Sequence, residues 1–98
     1  MSNAAKTAVG TPKAEDDNVR VTEWRFAPGA ATGWHRQEYD YVVVPLLDGQ
    51  LRIDQGQGDF TTSDLKRGVP YHRPAGVEHD VINANDYEFA FLEVELKR

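Results

Sequence analysis

The chain has 98 residues, enough for one domain with one core and too few for two. Hydrophobic residues make up 40% of it and aromatics 10%, which supports a packed interior and excludes global disorder. The net charge of −5 sets it against nucleic acid and anionic membrane surfaces, so neither is expected as a partner.

Residues 1–18 are small and polar, with no basic-then-apolar leader pattern, and read as a mobile arm ahead of a domain over residues 19–98. From residue 19 the chain reads as short strands divided by turn residues. Residues 19–26 are rich in Val, Thr, Trp and Phe and stop at Pro28-Gly29. A brief extended piece follows over 33–37. Residues 41–47 are β-branched and aromatic with little alternation, as in a strand covered on both sides. Asp48-Gly49 reads as a hairpin turn into the alternating residues 51–54. Residues 55–59 turn again into 60–62, residues 63–68 break the pattern, and 69–73 resume it. Pro74-Ala75-Gly76 makes a tight turn before a strand over 78–83, and Asn85-Asp86 turns into a last strand over 87–96. In that strand Leu92, Val94 and Leu96 share one face, and Glu93 and Glu95 share the other.

No window keeps helical spacing for more than about two turns, so no helix of consequence is expected. Roughly eight short strands with regular turn signals indicate an all-β sandwich or barrel. Composition alone does not separate a jelly-roll barrel from an immunoglobulin-like sandwich.

The spacing of particular residues does separate them. Gly68, Pro74, Gly76, His79 and Asn83 stand at the fixed offsets Gly-x5-Pro-x-Gly-x2-His-x3-Asn. This segment resembles the second cupin motif. Upstream, Gly29 precedes His35 at the interval of the first cupin motif, but Gln37 stands in place of its second histidine. The motif's glutamate position falls on Tyr41 or Val42, depending on the direction of counting. The resemblance runs from about residue 19 to the C-terminus. It implies a double-stranded β-helix, the cupin jelly-roll barrel, and a divalent transition metal within it.

With no cysteine, a tightly held metal must use His, Asp, Glu, Gln or Tyr. The resemblance brings His35, Gln37 and His79 forward as the ligands. Two imidazoles and an amide oxygen suit zinc, iron, nickel or manganese. Tyr41 shares parity with His35 and is read either as a further donor or as a buried hydrogen-bonded phenol. His72 and Arg73 are consecutive, so only one of them faces inward. His72 is read as a third imidazole or an ordinary surface residue, and Arg73 as a substrate-binding anchor or a surface ion-pair partner. Glu38 and Asp40 have the opposite parity and are expected to point outward. No phosphate loop, dinucleotide fingerprint or nucleophile elbow is present.

Three functional readings stand open. The first is a small metal-binding cupin, either a non-catalytic binder or an enzyme. The second is a metal-dependent oxygenase or isomerase acting on a small organic acid or sugar. The third is a structural homodimer without metal. The barrel is expected to hold a small-molecule ligand, and the absence of cysteine fits a cytoplasmic protein. A homodimer is expected because the last strand carries apolar side chains on both parities, and one small interior covers only one of them.

Overall fold

The computed structural model describes residues 6–97. Nine strands account for its regular structure: β1 Val9–Glu15, β2 Val19–Phe26, β3 His35–Arg36, β4 Asp40–Pro45, β5 Gly49–Gly56, β6 Asp59–Leu65, β7 Tyr71–Arg73, β8 Glu78–Asn83 and β9 Phe89–Leu96. They form a five-stranded sheet in the order β1-β2-β9-β4-β7 and a four-stranded sheet in the order β3-β8-β5-β6. All strand pairings are antiparallel. The two sheets close face to face into the expected jelly roll, and no described helix is long and apolar enough to cross a membrane.

Three expectations need correction. Within the segment expected to be a mobile arm, residues 9–15 form β1, which pairs along the edge of β2 from Val9 opposite Arg25 to Glu15 opposite Arg20. Gly10 permits this approach, because a Cβ there would lie 2.8 Å from the Trp24 ring. Residues 1–5 of the arm lie outside the described residues. Asp48-Gly49 is not a hairpin turn: β4 pairs with β7 and β9, while β5 pairs with β6 and β8, so the chain crosses here from one sheet to the other. Gly49 is needed for space, since a Cβ would meet Asn85 and Phe89 at 2.9 Å. Finally, residues 63–65 continue β6 where a break was expected.

Strand register sorts the inward side chains into rows. Across the larger sheet one row runs Arg20, Glu95, Tyr41, Arg73, and the next carries Glu93, Val43 and Tyr71. Below them come Trp24, Phe91 and Pro45, and then Phe26 with Phe89. The smaller sheet answers with the pair His35 and His79, then Ile53 with Val81, then Leu51 with Asn83. The interior is therefore polar at one end and apolar at the other. Phe26, Phe89, Leu51 and Pro45 are completely enclosed at the apolar end. Each large apolar side chain buried there contributes about 1.5–3 kcal/mol.

Asn83 locks that closed end. Its amide nitrogen donates to the carbonyls of Phe26, Ala27 and Tyr87 at 2.9–3.2 Å. Its oxygen accepts from the Asn85 backbone and side chain. The motif asparagine thus ties β2, β8 and the approach to β9 together, which an apolar residue cannot do.

Candidate functional site

A cavity of about 710 Å³ occupies the polar end of the barrel. Its exposed rim includes Arg36, Glu38, Gln55 and Arg73. Deeper in the wall are His35, Gln37, Tyr41, Tyr71, His79 and Glu93.

The two motifs are joined by backbone. His35 pairs with His79 across β3 and β8. Gln37 N–H donates to Val77 O at 2.8 Å, and Gly76 N–H donates to Gln37 O at 2.8 Å. Gly76 makes this clasp possible by taking a φ of +93°, where side-chain-bearing residues are strained. Asp40 holds the same turn by accepting from Ala75 N–H at 2.8 Å. The turn before β8 therefore fixes residue 37 as well as residue 79.

The two imidazoles meet edge to face with ring centroids 4.7 Å apart. His35 Nδ1 lies 2.9 Å from Gly33 O, which only accepts, so Nδ1 carries the proton and Nε2 is left with the lone pair. His79 is 6% exposed, and its buried Nε2 has no hydrogen-bond partner among the described residues. Burial, with a smaller effect from His35, lowers the His79 pKa to about 4, so its ring is neutral at physiological pH. A buried ring nitrogen without a partner is costly, and a donor or an ion would relieve it.

Gln37 donates from its amide to Glu93 Oε2 at 2.9 Å, which leaves its amide oxygen as the remaining donor atom. Glu93 also accepts a long bond from Trp24 Nε1 at 3.4 Å. Burial raises the Glu93 pKa above the usual carboxylate value, and the Gln37 bond opposes that rise. Its neighbour Glu95 is closed off by Arg20 through two bonds of 2.7 and 2.9 Å. Tyr41 is 3% exposed, and burial raises its pKa against a hydrogen bond from Gln37. Burial pushes Tyr71 up to about 12, so neither phenol supplies a phenolate near neutrality.

The structure thus brings His35, Gln37, Tyr41 and His79 to one cavity, Tyr41 from the larger sheet and the two histidines from the smaller, with Arg73 on the rim. It does not bring His72 there: that residue is exposed, stands opposite the outward Val42, and is absent from the cavity wall. This removes His72 as a pocket residue. Glu38 is exposed but borders the cavity rim, contrary to the outward placement expected from parity. Glu93, Arg20 and Arg36 were missed. The signal for Glu93 was its parity with Phe89 and Phe91, which marks the inward face of β9.

Among the described residues no group of three or more His, Asp or Glu side chains could hold an ion. The donor atoms present, two imidazole nitrogens and the Gln37 oxygen, are of the kinds that would suit a borderline divalent ion.

The cupin-domain family profile matches residues 22–95. This chain belongs to the cupin family. The cupin is 53% identical over 90 residues to the beta-alanine degradation protein BauB of Pseudomonas aeruginosa, covering 92% of this chain and 94% of that one. A cupin-domain crystal structure from Bordetella pertussis superposes with a TM-score of 0.93 at 48% identity, covering 99% of this chain and 100% of that one. An RmlC-like cupin from Methanocaldococcus jannaschii has a TM-score of 0.71 at 16% identity, covers 98% of this chain and 85% of that one, and shares the fold alone.

Proposed function

We propose that this cupin binds a compact polar metabolite in its barrel, beside a divalent transition-metal ion held by His35, His79 and the Gln37 oxygen. The observation that carries this reading is the unpartnered, buried Nε2 of His79, a residue of the cavity lining held neutral by burial. The relative's role in beta-alanine degradation supports a small amino acid or a product of its breakdown as the metabolite. An ion at that place would supply Lewis acidity and open coordination positions.

The chain's own residues have definable tasks. Gly33 O fixes the tautomer of His35 and so presents its Nε2 lone pair. Glu93 holds the Gln37 amide by its nitrogen, turning the oxygen free. Tyr41 and Tyr71 stay protonated and can donate hydrogen bonds to a ligand oxygen. Trp24 and Phe91 floor the cavity and limit the ligand's length.

Metal titration of the chelator-treated protein tests this. Stoichiometric binding is expected in the wild type and in His72→Ala, and is expected to be lost in His35→Ala and His79→Ala. Retention of binding in both of the last two variants would end the metal assignment.

A further inference from the structure

We propose that the barrel selects a short zwitterion, an ω-amino carboxylate, with its ammonium group on Glu93 and its carboxylate on Arg73. This rests on the reading of the barrel as a metabolite site and names the class of metabolite.

Two carboxylates lie side by side on the inward face of β9 in opposite circumstances. Glu95 is neutralised by the paired bonds from Arg20. Glu93 is 9% exposed, and the donors it receives are the neutral Gln37 amide and Trp24 indole. No described Lys, Arg or His forms an ion pair with it. An ionised carboxylate held out of water without a cation is costly. Glu93 nevertheless borders the cavity, where a cationic group from outside can reach it.

The rim carries the complementary charge. Arg73 lies over the Tyr71 ring, 4.6 Å from its centroid, and donates to the His72 carbonyl at 2.9 Å. It has no carboxylate partner among the described residues, so part of its fork is free for an anion. Only β4 separates the strand of Arg73 from that of Glu93. Arg73 stands in the row of Tyr41 and Glu95, and Glu93 in the next row with Val43 and Tyr71, so their backbones are offset by two strands and one row, on the order of 12 Å, a span that their two long side chains shorten. Tyr41, on the intervening strand, and Tyr71, beside Arg73 on β7, line the same cavity. One anionic and one cationic contact, set apart across a small cavity, match a ligand with its charges at opposite ends.

Calorimetric titration of the chelator-treated full chain tests the assignment with three probes: β-alanine, propionate, which lacks the ammonium, and propylamine, which lacks the carboxylate. The wild type should bind β-alanine at least about tenfold more tightly than either half-ligand. Glu93→Gln, which preserves shape and the bond from Gln37, should erase the preference over propionate. Arg73→Gln should erase the preference over propylamine. Propionate binding as tightly as β-alanine would overturn the assignment, as would a Glu93→Gln protein that keeps the preference. Binding that appears only after metal loading, with propionate bound as tightly as β-alanine, would overturn it too. If Glu93→Gln fails to fold, the three probes on the wild type and on Arg73→Gln still decide. Loss of zwitterion selectivity with intact metal binding defeats this inference alone. Absence of metal binding with intact selectivity defeats only the metal assignment.

Discussion

His79 and Glu93 face one cavity and respond to acid in opposite directions. A histidine in an unfolded chain titrates near 6.5, while burial holds folded His79 at about 4. In the metal-free protein the unfolded state therefore binds more protons between these values, and stability falls as pH drops through the window. The full loss is about 3 kcal/mol, from about 1.4 kcal/mol per pH unit. Glu93 is raised by burial, so its contribution is present at low pH and is lost as pH rises through its folded value. Urea denaturation at pH 7 and pH 5 separates the two residues. His79→Gln should lose less stability than the wild type between these pH values. Glu93→Gln should exceed the wild type at pH 7, with the gap narrowing at pH 5. Both histidines were legible in the sequence because motif spacing marks them. Glu93 was not, since a glutamate alternating with Leu92 and Val94 reads as a solvent-facing residue until the register shows that the leucine side is the outer one.

Among the elements, β2 and β8 were readable to the residue, because each is bounded by turn residues and filled with strand formers. The segment joining β4 to β5 misled, because Asp48-Gly49 serves equally well for a hairpin and for a step between sheets. Pairing partners decide which it is, and they lie far away in the chain. β1 was missed for a related reason: its residues are all exposed, so it has no buried stripe to betray it. Its order comes from backbone bonds to β2 and from the hollow that Gly10 leaves for Trp24. The clamp at the closed end gives a sharp element-level expectation. Asn83→Ala strands three carbonyls and the Asn85 donors, and should lower stability by about 3 kcal/mol or more in chemical denaturation.

For the whole molecule, the outer face of the five-stranded sheet is the exposed question. Val21, Val94 and Val42 lie in one row, with Leu92 and Val44 in the next, all half-buried within the single chain. β1 extends this sheet at its edge and does not lie over that face. We therefore propose that a second copy covers it in a two-fold contact. Light scattering at micromolar concentration should give a dimer, and Val94→Glu should give a monomer that keeps its fold. A wild-type monomer at that concentration would refute the contact.

The polarity gradient along the barrel axis has a further consequence. Phe26, Phe89, Leu51 and Asn83 hold the fold together at one end, while Arg73, Gln37, Glu93, His35 and His79 line the cavity at the other. On the function proposed above, folding and recognition occupy separate rows. Substitutions among the recognition rows leave the clamp and the apolar plug untouched, so a lineage with this architecture can exchange one ligand for another in single steps without passing through unfolded ancestors. The same separation makes the barrel a good starting scaffold for laboratory evolution: libraries confined to positions 37, 73 and 93 should yield mostly folded proteins, whereas libraries at 26, 83 and 89 should yield few.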